Sequence, residues 1–487
     1  MSSMHFSRRG FIKGSASTLA LAALPGGIAY GQTVARRLEW QEFKTTPSYL
    51  PFVNAIRTMR ANTNANDQRS WNFWVNAHVN NCPHGTPYFL AWHRGFAYYF
   101  ERQLRTISGL STLTLPYWDY YKYATIPTEF TTPSTNNPLY VGRVNTNIRN
   151  ALSLDPFRQT NFQRGTPSSF EASLEPRPHG EIHNLIGGAM ASLQSPTDPI
   201  FWLHHSQIDR LLHAWVLSGG KRYPASTDPY WNGTLTYSAT LTIARRTVYN
   251  PATLGYTYSD TTLPKSIPPL AAASGRFMDA PIQGAQSPLA TRVALQGVPA
   301  RPSAARFPNS EPRPTGKSRY SIGGAWNITL DEASVSARIP VEPSDVLSLR
   351  RIAGSTQASP FGGVGTAAQA YRSAQVILDN VRTTPAGEIG GYFYDVYLNL
   401  PPSAEPPTNE QRYHLGSFGA FEVSTAHHHG NFARLVFSAT QLLRNFSEQQ
   451  LREILVSFVR VNGDRAPRGP AIKVGEMRIE LSNDDVE

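Results

Sequence analysis

The chain of 487 residues contains a single cysteine. That excludes an intramolecular disulfide and any all-cysteine metal site, such as a zinc ribbon or an iron–sulfur cluster. Any metal here must rest on histidine or carboxylate. Charge is scarce, with 16% Asp, Glu, Lys and Arg against 40% hydrophobic residues, and this balance excludes disorder as the main state. Beyond the N-terminal segment no run of about 18 apolar residues occurs, so neither a transmembrane helix nor a membrane anchor is predicted. Also missing are a long Lys/Arg block and the aromatic motif of a nucleic-acid module. The net charge of +11 therefore reads as a solvated basic surface and not as a nucleic-acid site.

What is present begins with length, which at roughly 100–200 residues per domain predicts about two to four domains. Nine Trp, 22 Tyr and 23 Phe predict a ring-rich core. At the N-terminus, Ser7-Arg8-Arg9-Gly10-Phe11-Ile12-Lys13 precedes a small, apolar stretch from Gly14 to Ala29 without an acidic residue. The charged start, the short apolar run and the small residues at Ala29-Tyr30-Gly31 are the parts of a secretory signal. The paired arginines make it resemble a twin-arginine signal, which implies the twin-arginine export machinery as a partner and a periplasmic or secreted bacterial protein.

Thirteen histidines are present, and seven of them fall between His78 and His205 in two groups. Trp71, Trp74, Val75 and His78 follow i, i+3, i+4, i+7 spacing, which puts His78 on the buried face of a helix. His84 stands among Pro83, Gly85 and Pro87 and belongs to a turn. Phe89, His93, Phe96, Phe100 and Leu104 again recur at helical spacing. In the second group His179 and His183 are four apart, so on a helix they project side by side, as two imidazoles on one metal ion require. His205 opens a further periodic run with Ile208, Leu212 and Trp215. Several neutral imidazoles on apolar faces are costly to bury without a shared partner. Two all-histidine sites without carboxylate suit copper better than magnesium or calcium, while a three-histidine zinc hydrolase stays open as an alternative.

The segments Cys82-Pro83-His84, Phe89-Leu90-Ala91-Trp92-His93-Arg94 with Glu101, His179-Gly180-Glu181-Ile182-His183-Asn184, and Asp198-Pro199-Ile200-Phe201-Trp202-Leu203-His204-His205 through Asp209-Arg210 resemble the two copper-binding signatures of the tyrosinase, catechol oxidase and molluscan haemocyanin family. The resemblance implies two copper ions, one on His78, His84 and His93 and the other on His179, His183 and His205, in a mainly helical bundle. It places the ligand at His205 and leaves His204 a solvent-side or structural neighbour. It also implies an oxidoreductase that uses O2 to convert o-diphenols to o-quinones, in some members after hydroxylating a monophenol. The substrates are then small phenols such as tyrosine, 3,4-dihydroxyphenylalanine and catechols. A non-catalytic dioxygen carrier of the haemocyanin kind is the alternative on the same site.

Further roles carry over by the same resemblance. Cys82, two before His84, stands where part of the family forms a thioether from cysteine to the histidine ring. Phe201 corresponds to a residue packed near the coppers, or is plain core. Glu175 aligns with a glutamate thought to hold a water that deprotonates the phenol, with Glu171 as its rival. Ser192 stands where some members put a bulky residue, and its small size suggests an open approach. Gly180 offers no side chain where many monophenol hydroxylases carry an amide.

Past the second site, Leu235-Thr236-Tyr237, Leu241-Thr242-Ile243 and Leu254 to Tyr258 have strand character. Residues 263–317 are dense in proline, alanine and serine and read as a linker. From Ser318 on, strands are predicted at 325–330, 391–400, 432–437 and 474–481, with one short helix after the capping box Ser447-Glu448-Gln449-Gln450. The expected organisation is a signal over 1–31, a dicopper domain over 32–262, a linker over 263–317 and a C-terminal β-sandwich over 318–487. The last resembles the C-terminal domain of latent plant-type enzymes, which implies a shield over the coppers released by an activating protease that cuts the linker, with a stabilising appendage as the alternative. His427-His428-His429 reads as an exposed triplet and not as a site.

Overall fold

The computed structural model describes residues 34–166, 168–269, 293–294, 319–354, 371–400, 412–428 and 433–483. The expected signal over 1–31, most of the expected linker and part of the 427–429 triplet lie outside these residues. Two ring-rich and aliphatic cores form, one within 40–258 and one within 322–481.

The first core is helical. Helix α1 (Tyr49–Ala61), α2 (Trp71–Asn81) and α3 (Phe89–Ser108) precede a short α4 (Glu181–Ile186) and the long α5 (Ile200–Leu217). Helix α3 starts after Tyr88 at φ 80° and stops at Gly109 at φ 68°, the left-handed cap that glycine supplies without strain. Periodic aromatic residues explain how α2, α3 and α5 meet. Phe100 of α3 stacks on Trp202 of α5 at 3.5 Å and 5°, while Trp71 and Trp74 of α2 meet the same indole edge-on. Strand β1 (Ala35–Arg37) is brought beside the far end of this region, the hairpin β2 (Thr234–Ser238) and β3 (Leu241–Ala244) and then β4 (Tyr256–Tyr258), by parallel pairing of β1 with β4.

The second core is a sandwich of two mainly antiparallel sheets. One holds β10 (His414–Gly419), β9 (Tyr392–Leu398), β12 (Glu453–Asn462), β7 (Val335–Pro340) and β5 (Val293–Ala294) in that order; the other holds β11 (Ala433–Ser438), β8 (Ser373–Thr383), β13 (Ile472–Ser482) and β6 (Arg319–Leu330). The fold class is as the sequence predicts. The four predicted strands are found, β6 and β13 longer and β9 shorter than expected, and the capping box is present ahead of the single turn Glu448–Leu451. Two features differ. Val293 and Ala294 of the expected linker pair with β7, and helices α6 (Pro343–Gly354) and α7 (Ala420–His428) were not anticipated among the strands.

Candidate metal centre

Seven histidines converge at the junction of α2, α3, α4 and α5. His78 closes the last turns of α2, His93 stands in the first turns of α3, and His84 lies in the turn between them, as the spacing predicts. The second group departs from its expectation in one respect. His179 precedes the helix: it sits in a kinked turn over 175–180, with extended backbone at Arg177 and a cis Arg177–Pro178 bond, and α4 starts only at Glu181. The proline pair prevents a regular helix there. The two rings still lie 4.6 Å apart.

His78, Cys82, His84 and His93 form one group and His179, His183, His204 and His205 another, with the ligating atoms of each within 4.8 Å of one another. The groups face each other: His93 stacks on His205 at 4.1 Å and 15°, and His84 lies 5.9 Å from His179. Phe201 sits between them, 4.2 Å from His205 and 5.1 Å from His78.

Four imidazoles are oriented the same way. The Nδ1–H of His78 donates to Leu193 O (2.7 Å), that of His93 to Phe89 O (2.9 Å), that of His179 to Glu175 O (2.9 Å) and that of His183 to Met190 O (2.8 Å). A carbonyl on Nδ1 fixes the tautomer and leaves the Nε2 lone pair for a metal. The Nε2 atoms of His78, His179 and His183, and both ring nitrogens of His205, are buried without a hydrogen-bond partner among the described residues. Burial pushes the His78 imidazole down to about 4 and the other six well below their ordinary value, with the neighbouring rings adding to the effect. So many neutral, unpaired nitrogens in an apolar cavity have a physical rationale if they ligate metal. Neutral imidazole in two adjacent sets fits a pair of coppers.

His204 corrects one expectation. It is not on the solvent side but fully buried within the second group, both nitrogens unpartnered among the described residues and its ring 5.1 Å from His183. Cys82 is buried, its Sγ 3.6 Å from His84 Nε2 and 3.4 Å from His93 Nε2.

The two glutamates separate clearly. Glu175 reaches the His84 turn, accepting from the Gly85 N–H (2.6 Å), and its other oxygen is ion-paired with Arg164. Burial raises its carboxyl while Arg164 pulls it back. Glu171 turns away toward Leu90 N, Arg164 N and the Tyr230 hydroxyl, and burial pushes it up to about 7. Ser192 bonds within its own turn, to Ala189 O and Gln194 N.

The approach that a small Ser192 suggested is not open in the full chain. Phe421 of α7 stacks on His183 at 4.1 Å and 16° and lies 5.2 Å from His84 and 5.6 Å from His179. Nothing in the local sequence marks Phe421, Glu422 or Arg164, because each reaches the site only through the tertiary fold.

A family model described as the common central domain of tyrosinase matches residues 52–169 and 135–218. A tyrosinase of Hahella sp. (strain CCB-MM4) is 32% identical over 191 residues, covering 31% of this chain and 40% of its own. Hemocyanin 1 of Megathura crenulata is 31% identical over 157 residues, covering 28% of this chain and 4% of its own. The chain thus spans less than half the length of these two relatives. Among solved structures, latent apple tyrosinase matches with a TM-score of 0.51 and 17% identity over 94% of this chain and 99% of that one. That likeness concerns the fold.

Proposed function

We infer, from a chain that carries the common central domain of tyrosinase over residues 52–218, that it is a dicopper oxidoreductase which uses dioxygen to oxidise o-diphenols to o-quinones. The observation that carries this reading is the pair of facing, buried histidine groups, with the Nε2 atoms of His78, His179, His183 and His205 unpaired among the described residues. His78, His84 and His93 hold one copper and His179, His183 and His205 the other. When bound, the metal pair supplies dioxygen binding and two-electron oxidation, the chemistry that protein side chains cannot.

The chain's own residues do the rest. The carbonyls of Leu193, Phe89, Glu175 and Met190 aim the imidazoles, and Phe201 packs against His78 of one set and His205 of the other. Cys82 joins its sulfur to the His84 ring, a step that removes two hydrogens with dioxygen as acceptor. A protein mass two hydrogens below the sequence value checks it, and an unshifted mass refutes it. Diphenol oxidation is favoured over monophenol hydroxylation, since Gly180 offers no amide and Arg164 occupies the Glu175 carboxylate. The twin-arginine resemblance of residues 7–13 makes the protein exported, and replacing Arg8 and Arg9 with lysine should retain it in the cytoplasm.

A second reading, a dioxygen carrier, is favoured by the ring of Phe421 over the histidines in the full chain. The C-terminal sandwich is instead proposed as a removable shield. The deciding experiment loads the protein with copper and measures oxygen uptake on catechol before and after proteolysis between 263 and 317. Two coppers per chain and uptake that rises on cleavage support the oxidase. Reversible oxygen binding with no quinone formed after cleavage supports the carrier, and zinc in place of copper refutes both.

A further inference from the structure

The side chain of Asn184, next to His183, is fully buried, and α7 uses both of its ends. Asn184 Oδ1 accepts from the Phe421 N–H (2.8 Å), and Nδ2 donates to Glu422 Oε2 (2.7 Å). The other carboxyl oxygen, Oε1, occupies the notch over Gly180, where a Cβ would come within 2.1 Å of it. Beside this arrangement the Phe421 ring spans the two histidine groups. A ring over the imidazoles, with one donor and one acceptor read by a single amide, outlines a small aromatic molecule. The remaining bond shown for Glu422 Oε2 is from the Gly419 N–H (2.7 Å), so the groups bonded to this carboxyl are neutral. Burial raises the Glu422 carboxyl above its ordinary value, and the nearby Glu175 charge adds to the effect.

Resting on the dicopper oxidase reading, we propose that the substrate is an o-diphenol whose ring carries a neutral carboxamide, read by Asn184 in the notch that Gly180 leaves open. The substituent's carbonyl takes the place of the Glu422 oxygen and accepts from Nδ2. Its N–H takes the place of the Phe421 amide and donates to Oδ1, so that one amide pairs with another. A carboxylate substituent lacks the N–H and leaves Asn184 Oδ1 unpaired. An alkyl substituent leaves both ends of Asn184 unpaired, which costs the desolvation of each.

The test uses the full chain without copper. Deleting residues 420–423 removes the Phe421 ring, its main-chain N–H and the Glu422 carboxyl from Asn184 together, and such cavities take up small aromatic molecules. Calorimetric titration with benzamide, benzoate and toluene then reads the pocket directly. Benzamide is expected to bind about tenfold tighter than either of the others, as one or two well-made hydrogen bonds allow. Adding Asn184→Leu is expected to erase that difference. Equal binding of the three ligands, or benzamide binding indifferent to Asn184→Leu, overturns the proposal. If the deletion variant does not fold, the same titrations on the wild-type chain after proteolysis between 263 and 317 has released the sandwich, and α7 with it, carry the same outcomes. Failure of copper-loaded protein to oxidise catechol overturns the functional reading separately, since these titrations involve neither copper nor turnover.

Discussion

Arg164 and Glu175 show how a single pairing sets what the centre can do. A phenol must lose its proton before it can be hydroxylated, and a carboxylate held by a guanidinium is a weaker base than a free one. Arg164→Gln is therefore expected to raise the ratio of oxygen uptake on tyrosine to that on 3,4-dihydroxyphenylalanine by about tenfold, less than the roughly 10²–10⁴-fold of a whole general base because Glu175 is only weakened and not removed by the pair. Because Arg164 opposes the upward push of burial on Glu175, the acid limb of the monophenol profile should also move to higher pH; an unchanged ratio and profile would show that Glu175 takes no proton. At this scale the histidines were legible, since ligation demands a spacing on helices that a sequence can display. His204 was not, because neighbours on one helix point about 100° apart and only the fold around α5 decides that both are buried. Glu171 and Glu175, one turn apart, could be separated only once the kink at 175–180 had turned one of them toward the His84 loop.

The helices that bear the buried histidines are tied to one another by a buried ionic cluster. Asp209 of α5 accepts from Arg94 Nε of α3 (2.6 Å) and from the hydroxyls of Tyr256 (2.6 Å) and Tyr258 (2.5 Å) of β4, with Arg37 of β1 at 3.7 Å. Removing the charge leaves the buried Arg94 guanidinium without its counter-ion, while Arg37 keeps Glu101 at 2.8 Å, so Asp209→Asn is expected to cost about 3 kcal/mol, measured by urea unfolding. Arg94 and Arg37 hold the Asp209 carboxyl below its ordinary value despite burial. Its contribution is thus fully present above the unfolded value of about 3.9 and is lost as pH falls through the lower, folded one. The variant should lack that part of the acid limb, and a variant as acid-sensitive as the wild type would refute the assignment. Elements with a strong period, α2, α3 and α5, were legible. The turn at 175–180 was not, because two prolines override an i, i+4 pair, and α7 was not, because its nine residues lie between strands and carry little periodicity of their own.

Between the two cores the chain builds a polar seam as well as the Phe421 contact. Gly188 N–H donates to Ile389 O and Gly391 N–H to Asn184 O, Asn145 Oδ1 accepts from Arg465 N–H, and Arg177 joins Glu181 to Asp395, which also accepts from His414. A two-domain chain was legible from proline density and strand composition, but the docking was not, since its partners lie more than 200 residues apart in sequence. The Arg177–Asp395 pair is a charged link across this seam; when one partner is removed Arg177 keeps Glu181 and Asp395 keeps His414, so the loss falls on docking. Arg177→Met and Asp395→Asn are each expected to loosen the sandwich and raise oxygen uptake by the uncut, copper-loaded chain. Because the two groups act through one contact, their effects should be non-additive: the double variant should exceed the stronger single by less than the product of the two, with a coupling of about 1–3 kcal/mol in docking. Activation measured before and after linker cleavage separates this from damage to the centre, for once the sandwich is cut free all three variants should match the cleaved wild type. Variants that stay silent until cleavage would show that the main-chain bonds at Gly188 and Gly391 hold the domain in place by themselves.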